Sequence, residues 1–255
     1  MIDPENLTYV RTVEDVVTPS KILGTKIGDK VLGVDPDTVF PLQAALGYDI
    51  TQTLFVGQHN LLVEGPSDLL YLKLFSHELQ EAGREYLDPR WIITPVGGVG
   101  KVGSFVALFG GNKLHVAVLT DYHKGIGGQV RSLRASALLK AGHVFSADMY
   151  VDGDEADVED MIGRENYVKV INECYSLKGT KSIPETKVAG APSRIMEEIE
   201  NHFESNVPEI KFDHYKPSLF LTENKSKLRD LPQLSQALDR FEKLFKDLNP
   251  LLPKK

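Results

Sequence analysis

Short apolar runs alternate with amphipathic stretches through the middle of the chain, and this pattern predicts strands followed by helices. Four runs have the length and the branched side chains of buried strands: NLLVEG (60–65), RWIITPVGG (90–98), LHVAVLTD (114–121) and HVFSADMYV (143–151). Three stretches between them carry apolar residues at helical spacing: 67–83, 101–110 and 127–142. Strands that alternate with helices predict a parallel α/β sheet flanked by helices over residues 58–163.

The pattern differs on both sides of this central region. Before it, LTYVRTVED (7–15) and KILGTKIG (21–28) alternate as strands do, and a helical pattern opened by a proline covers 41–56. After it, four amphipathic helices are predicted: 165–177, 191–205, 216–228 and 231–248. Two segments are predicted to lack regular structure: the loop 177–192 and a frayed tail at 249–255. We therefore predict three regions: 1–57 with strands and a helix joining the lobes, a sheet-bearing core at 58–163, and a mainly helical lobe at 164–255 that completes the site.

Composition limits the class of protein. A chain of 255 residues of which 42% are hydrophobic can bury a large core. No apolar run approaches the roughly 20 residues of a membrane span, and the start has no signal-peptide pattern, so a cytoplasmic protein without membrane contact is expected. The single cysteine, Cys174, excludes an intrachain disulfide and a thiolate zinc site. A net charge of −7 argues against a protein that coats DNA by charge alone, but metal-binding carboxylates add to the same count, so a nuclease stays compatible.

Acidic residues stand near the predicted carboxyl ends of the strands, where open parallel sheets bind their ligands. Glu64 closes the first of these strands, and Asp68 falls in the first turn of the helix that follows. Asp121 closes the third strand, and Glu159 with Asp160 follows an acidic stretch after the fourth. Carboxylates around one crevice repel each other unless cations neutralise them, and hard oxygen ligands suit Mg²⁺ or Mn²⁺. Two such ions are the usual means of phosphodiester hydrolysis.

Each acid also has a structural explanation. Asp68 could simply favour the positive end of its helix. Glu64 and Asp121 could be solvated strand termini, and the acids from 152 to 160 could form a solvated loop. The combination of acids at the ends of separate strands favours the metal site over these alternatives.

Three motifs together resemble the successive signatures of a Toprim domain: VEGPSD (63–68), VLTDYHKG (118–125) and ADVEDMIG (156–163). Toprim domains occur in primases, topoisomerases and the OLD (overcoming lysogenization defect) family of nucleases. The form LLVEGPSDLLYL, the glycine-rich TPVGGVGKVGSF and the late ADVEDMIG most resemble the OLD family. The resemblance covers residues 58–163 and implies that this core is the Toprim catalytic core of a Mg²⁺- or Mn²⁺-dependent DNA endonuclease.

By position, the resemblance implies metal-binding acids at Glu64, Asp68, Asp121 and Glu159, with Asp157 and Asp160 as further neighbours. One position departs from the pattern, since Toprim domains usually carry a second aspartate two residues after the central one, and His123 stands there. An imidazole can ligate Mn²⁺ but is a poor ligand for Mg²⁺, so the second of two cations would depend more on Asp68 and Glu159. Alternatively, His123 is a loop residue that faces solvent.

Basic residues are candidates for binding phosphate. In FDHYKPSLFL the resemblance implies a catalytic lysine at Lys216, preceded by His214, that would stabilise charge in the transition state. A lysine before a proline is also common where a helix begins. Four further basic residues follow the central acid: Lys124, Arg131, Arg134 and Lys140. They could hold the DNA backbone without reading its sequence, or they could form a solvated helix face.

The segment PVGGVGKV does not form a nucleotide-binding P-loop. Pro95 stands where the first glycine belongs, and Val102 stands where the magnesium-binding hydroxyl belongs. Gly97, Gly98 and Gly100 either allow a tight turn from strand to helix or bring backbone N–H groups near a phosphate.

The start of the chain, MIDPENLTYVR, resembles the sequence that follows the ABC-type ATPase in full-length OLD proteins. This resemblance implies the carboxyl-terminal half of an ATPase-nuclease. The implied partners are DNA, an N-terminal ABC-type ATPase region in the full-length protein, and a second copy in a homodimer.

Three functional hypotheses follow. The first is a DNA endonuclease with a two-metal mechanism. The second is a Toprim domain of topoisomerase or primase type, although no tyrosine is marked as a nucleophile by a DNA-binding domain and one cysteine cannot supply a primase zinc module. The third is a non-catalytic Toprim-like interaction module whose acids hold a structural cation.

Overall fold

The structure is a computed structural model that describes residues 11–18, 21–31, 58–111, 114–136, 139, 142–186, 192 and 194–254. Contacts divide the chain into two compact units, Met1–Thr53 and Leu54–Lys255. The region boundaries expected at 57/58 and 163/164 stay predictions.

The first unit contains an antiparallel strand pair. Strand β1 (Arg11–Thr18) pairs with β2 (Lys21–Val31), and Thr18 stands opposite Lys21. The two strands predicted here are confirmed, although each ends later than the sequence pattern indicated. The helix predicted at 41–56 lies outside the described residues.

The second unit is built on a four-stranded parallel sheet with the strand order β4-β3-β5-β6. The strands are β3 (His59–Val63), β4 (Trp91–Pro95), β5 (His115–Thr120) and β6 (Val144–Ser146). Every residue of β3 and nearly every residue of β5 is buried, as expected of central strands that are covered on both faces. The parallel α/β sheet predicted from the sequence is confirmed.

Four helices follow the strands of this sheet: α1 (Pro66–Glu81), α2 (Val99–Gly111), α3 (Gly127–Arg134) and α4 (Val158–Ile162). Helix α1 begins where proline occupies the first helical position, and the Asp68 carboxylate accepts the Gly65 N–H at 2.9 Å. This cap places Asp68 beside the end of β3, so local signals determine where the first helix starts.

Five helices form the helical lobe: α5 (Arg164–Cys174), α6 (Ile195–Asn206), α7 (Tyr215–Glu223), α8 (Lys225–Arg229) and α9 (Leu234–Leu248). Helices α7 and α9 pack on α1, where the rings of Phe75 and Phe241 stack at 4.2 Å. One hydrophobic cluster therefore runs from the sheet into the lobe. Within the described residues, no helix is long and apolar enough to cross a membrane.

Two predicted elements are much shorter in the structure, and the helix predicted at 216–228 is divided at Asn224 into α7 and α8. The helix predicted at 127–142 ends at Arg134, and the last turn tightens as Ser136 N–H bonds the Leu133 carbonyl. The strand predicted at 143–151 covers only Val144–Ser146, because the chain then turns through a 3₁₀ segment that buries Ala147 and Tyr150.

The prediction of a frayed tail is wrong. The Asn249 side chain accepts the Asp88 N–H at 2.9 Å and donates to the Tyr86 carbonyl at 2.8 Å. The Arg90 guanidinium donates to the Pro253 carbonyl at 2.9 Å, and Leu252 is buried. These contacts with the loop after α1 hold the tail in place. The partners are more than 150 residues away in sequence, so the local composition of the tail could not predict them.

Candidate functional site

A cavity of about 740 Å³ opens where β3 and β5 end. The carboxylates that reach it from the core are Glu64, Asp68, Asp121, Asp157 and Glu159, here called the acidic cluster. The helical lobe contributes a second group, here called the lobe face: Arg194, Met196, Glu200, Lys211, Phe212, Asp213, His214 and Tyr215. The structure thus brings the four principal predicted ligands and Asp157 to one cavity. Asp160, His123 and Lys216 do not line it.

Glu64 links the ends of three strands. Its carboxylate accepts the Val99 N–H at 3.0 Å and the Asp121 N–H at 3.1 Å. Val99 begins α2 after β4, and Asp121 follows β5, so one side chain ties both neighbouring segments to the end of β3. Each carboxylate oxygen accepts one of these bonds and keeps a lone pair for a further partner.

The glycine-rich turn after β4 forms hydrogen bonds with the backbone carbonyl of Glu64. Gly97 and Gly98 have φ values of +81° and +110°, and both donate their N–H groups to the Glu64 carbonyl at 2.9 Å. Side chains rarely adopt these angles, which explains glycine at both positions. The structure therefore favours the tight-turn interpretation for Gly97 and Gly98, since their N–H groups are already engaged.

Asp121 connects β5 to the acidic stretch that precedes α4. Its carboxylate accepts the Val158 N–H at 3.0 Å. Tyr122 and Ala156 form an antiparallel bridge with two hydrogen bonds of 2.8 Å. These bonds hold the start of α4 against the end of β5 and bring Glu159, which is 5% exposed, into the cavity wall.

Asp157 forms an ion pair with the lobe face. The Arg194 guanidinium donates to its two carboxylate oxygens at 2.8 and 3.1 Å. The Asp157 side chain is 4% exposed and that of Arg194 is 22% exposed, so the pair is largely shielded from water. Arg194 therefore brings a positive charge into direct contact with the acidic cluster.

Asp160 has a different environment from its neighbours. One carboxylate oxygen accepts the Asp157 N–H at 2.7 Å, and the other accepts the Ile195 N–H at 3.0 Å. It therefore caps α4 and fastens the first residue of α6. Its assignment as an additional metal ligand stays a prediction, and the observed contacts give it a structural role.

Burial dominates the electrostatics of the acidic cluster. Desolvation, followed by repulsion from neighbouring carboxylates, raises the pKa of Asp121 and of Glu159 well above the ordinary range. Burial raises the pKa of Asp68 to about 7. Burial also raises the pKa of Glu64 and of Asp157, although hydrogen bonds to each carboxylate oppose the rise. The cluster thus holds protons more tightly than isolated carboxylates do, as expected of acids that lack sufficient compensating charge.

Comparison with known families identifies part of this unit. Residues 55–122 match the family model described as "Overcoming lysogenization defect protein-like, TOPRIM domain". The chain contains an OLD-like Toprim region. The match includes Glu64, Asp68 and Asp121 and ends before Glu159. Neither the curated proteins nor the solved structures yielded a match.

The donor atoms of the Toprim region fit a divalent cation. Toprim domains generally bind divalent metals such as Mg²⁺. Among the described residues, no three His, Cys, Asp or Glu side chains converge as a ready-made ion site. Mg²⁺ is usually held by one or two carboxylates, with waters and substrate phosphates as its other ligands. A cluster of buried carboxylates with raised pKa values supplies such oxygens and gains stability from added positive charge.

The two remaining predicted site residues, His123 and Lys216, do not line the cavity. His123 precedes a short 3₁₀ turn and is partly exposed. The Lys216 ammonium lies 4.0 Å from the centre of the Tyr175 ring, in a cation–π contact. The metal-ligand role of His123 and the phosphate role of Lys216 therefore stay predictions.

Sequence reasoning missed two basic residues that do line the cavity, Arg194 and Lys211. Arg194 falls within the helix predicted at 191–205, where nothing in the apolar pattern marks it as a site residue. Lys211 had one available signal, because KFDHYK (211–216) interleaves basic and aromatic residues.

The basic residues after the central acid are exposed where the structure describes them. Lys124, Arg131 and Arg134 are exposed on the 3₁₀ turn and on α3, and Arg134 donates to the Ser146 hydroxyl at 3.0 Å. Lys140 lies outside the described residues. Both the DNA-backbone interpretation and the solvated-face interpretation are compatible with this exposure.

Proposed function

We propose that the chain is a metal-dependent endonuclease that hydrolyses DNA phosphodiester bonds with two divalent cations, Mg²⁺ or Mn²⁺. The observation that carries the proposal is that Glu64, Asp68, Asp121 and Glu159 line one cavity beside the strand ends. The match of residues 55–122 to an OLD-like Toprim domain supports a module of the kind that acts on nucleic acids.

In this proposal Glu64, Asp121 and Glu159 hold the cations, and Asp68 completes the second site. Bound cations supply activation of a water molecule and neutralisation of the charge that develops on the phosphate. The hydrogen bonds at Glu64 and Asp121 orient both carboxylates before any ligand arrives, so little reorganisation is needed.

Arg194 and Lys211 are proposed to contact phosphate, because both line the same cavity. A planar guanidinium suits phosphate oxygens as well as the carboxylate that it now pairs with. Lys216 could join them only by leaving the Tyr175 ring. We assign it the later role of steadying the phosphate once DNA is bound.

We also propose, from the resemblance of the chain's start to OLD proteins, that the activity belongs to a cytoplasmic protein with an ABC-type ATPase region. Such a protein would form a homodimer. The nuclease test below uses the present chain and does not depend on this point.

The test is nicking of supercoiled plasmid by the purified chain with Mg²⁺, Mn²⁺ or EDTA. Glu64→Gln and Asp121→Asn keep the shape of each side chain and remove its charge, so we expect metal-dependent nicking to fall at least about 100-fold in each variant. Asp154→Asn, which changes an exposed acid of the neighbouring loop, is the matched control and should retain activity.

Intact plasmid with every metal would exclude the proposed activity for this chain. If Mg²⁺ or Mn²⁺ then still stabilised the fold, the non-catalytic Toprim-like module would be the better description. Equal nicking by wild type and both variants would point to a contaminating nuclease.

A further inference from the structure

Tyr215 is an exposed aromatic side chain at the acidic cavity. In the part of the chain that the structure describes, two large hydrophobic side chains are exposed, Met149 at 43% and Tyr215 at 39%. Of these two, Tyr215 lines the cavity. A tyrosine ring that is partly exposed beside the acidic cluster can offer an apolar face to a ligand bound in the cavity.

The backbone beneath this ring is held in place by Tyr175. The Tyr175 hydroxyl donates to the Asp213 carbonyl at 3.1 Å and accepts the Asp213 N–H at 2.9 Å. The Asp213 carboxylate in turn accepts the Tyr215 N–H at 2.9 Å, at the first residue of α7. These hydrogen bonds hold the backbone of Tyr215 in one position. Less conformational entropy of the protein is therefore lost when a ligand binds to the ring.

A series of ring contacts runs from His214, the neighbour of Tyr215 in sequence, into the core of the lobe. His214 lies 5.1 Å from Phe212, and Phe212 lies 5.0 Å from Phe203, measured between ring centres. Phe203 and Phe212 pack against the core and support the segment, whereas the side chain of His214 is 57% exposed and its Nε2 lies 3.1 Å from a Glu200 carboxylate oxygen. The outermost rings, those of His214 and Tyr215, are thus the ones available to a ligand.

Positive charges flank these rings along the segment. Lys211 lines the cavity before Phe212, and Lys216 lies against Tyr175 just after Tyr215. Alternating cations and aromatic faces are typical of surfaces that hold a single nucleic-acid strand, since the cations attract phosphates and the rings stack on bases. A base within a duplex has both faces covered by its neighbours and cannot lie flat on such a ring.

We propose that Tyr215, with His214 beside it, stacks on an unpaired base of the DNA strand whose phosphate lies at the acidic cluster. The substrate class is then DNA with a single-stranded or frayed segment at the cleavage point. This inference rests on the proposed function, which names DNA and the acidic cluster, and adds the base as a second recognition element.

The test measures binding of the purified chain to a fluorescent single strand of about 12 nucleotides, a length typical of such sites. Ca²⁺ replaces the catalytic metals, and a blunt duplex of the same sequence is the comparison. We expect the strand to bind at least about 5-fold more tightly than the duplex. Tyr215→Ala should weaken strand binding about 10-fold, whereas Tyr215→Phe should stay within about 2-fold, because stacking requires the ring and not the hydroxyl.

Met149→Ala is the matched control, since it removes the other exposed apolar side chain, and it should bind the strand as the wild type does. A strand carrying 2-aminopurine gives an independent readout, because stacking quenches its fluorescence. The quenching should be lost in Tyr215→Ala and kept in Tyr215→Phe. Equal affinity for strand and duplex, or undiminished binding and quenching in Tyr215→Ala, overturns the proposal.

Plasmid nicking measured on the same preparations separates this inference from the proposed function. If the chain nicks plasmid in a metal-dependent way but its strand binding does not depend on Tyr215, the nuclease proposal is supported and the stacking proposal is contradicted. If strand binding depends on Tyr215 but no plasmid is nicked, the stacking proposal is supported and the nuclease proposal is contradicted.

Discussion

Asp68 has two roles, because it caps helix α1 and also lines the acidic cavity. It caps α1 through the Gly65 N–H, which is the structural explanation that its position in the first turn allows. It also lies among the buried acids of the cavity, and burial raises its pKa to about 7. The two roles are compatible because the cap occupies one carboxylate oxygen and leaves the other.

The raised pKa of Asp68 predicts a pH dependence of stability in the absence of metal. Between its ordinary pKa of 3.8 and its folded value of about 7, the folded state binds more protons than the unfolded state. Stability from this group is therefore complete below about pH 4 and is lost as the pH rises through 7. Urea unfolding in EDTA should give a free energy at least about 1.4 kcal/mol lower at pH 8 than at pH 5, the equivalent of one pKa unit.

Asp68→Asn should reduce this pH dependence, because the amide does not titrate and can still accept the Gly65 N–H, while the other acids of the cluster, whose pKa values are also raised, keep the remainder. Asp154→Asn, at the exposed loop position, should leave the slope unchanged. A wild type that is as stable at pH 8 as at pH 5 would contradict the prediction.

The ion pair between Arg194 and Asp157 gives a second prediction at the residue scale. Arg194→Gln leaves a buried carboxylate without its charged partner, so we expect the free energy of unfolding in EDTA to fall by about 2 kcal/mol. This figure is below that of a fully buried pair because the arginine is partly exposed. Mn²⁺ should restore part of the loss if a cation can neutralise Asp157.

Lys181→Gln provides the contrast, because the ion pair between Lys181 and Glu209 is exposed on both sides. Urea unfolding should detect little change in this variant. An equal loss in both variants would mean that burial of the Arg194 pair has no energetic consequence.

At the scale of elements, helix α9 joins the lobe to the core. Its buried positions, among them Phe241 and Phe245, recur at helical spacing on one face, as the sequence predicts. Helix α9 packs on α1 and on α4, and the stacked rings of Phe75 and Phe241 lie at the contact with α1. Helix α1 therefore has two tasks, since its first turn carries Asp68 and its later turns support the lobe.

Phe241→Ala should lower the free energy of unfolding by about 3–5 kcal/mol, because the ring is completely buried and its removal leaves a cavity. Gln236→Ala, at an exposed position of the same helix, should change it by less than about 0.5 kcal/mol. Thermal or urea unfolding of both variants measures these changes in the free energy of unfolding. A small loss for Phe241→Ala would show that α9 contributes little to the core.

At the scale of the whole molecule, the acidic cluster brings five carboxylates to one cavity, and the repulsion between them destabilises the folded state when they are ionised. Its members Asp68, Asp157 and Glu159 are buried and Glu64 and Asp121 are partly exposed, and among the described residues Arg194 and Lys211 are the arginine and lysine side chains that line the same cavity. A folded state of this kind is stabilised by any ligand that brings positive charge to the cavity, since the unfolded chain has no such arrangement.

Mn²⁺ or Mg²⁺ should therefore raise the melting temperature. A concentration one hundred times the dissociation constant would add about 2.7 kcal/mol, or roughly 5–10 °C for a chain of this size. The rise should be larger at pH 8 than at pH 6, because protons compete with the cation for the carboxylates. The double variant Glu64→Gln/Asp121→Asn should lose most of the shift, whereas Asp154→Asn should keep it.

The sequence by itself determined the order of strands and helices in the core and the placement of Glu64, Asp68 and Asp121 near strand ends. These features depend on the period of apolar residues and on proline, glycine and capping signals, all of which act within a few residues. Element ends were less accurate, as at α3 and β6, because hydrogen bonds and burial at the turns decide them.

Only the tertiary structure decided which side chains share the cavity. Arg194 meets Asp157 across 37 positions of sequence, and the pairing follows from the packing of α6 near α4. Lys216 lies on Tyr175, outside the cavity, while Lys211 and Tyr215 of the same segment reach it. Such contacts depend on how separate helices pack, and no local period along the chain encodes that arrangement.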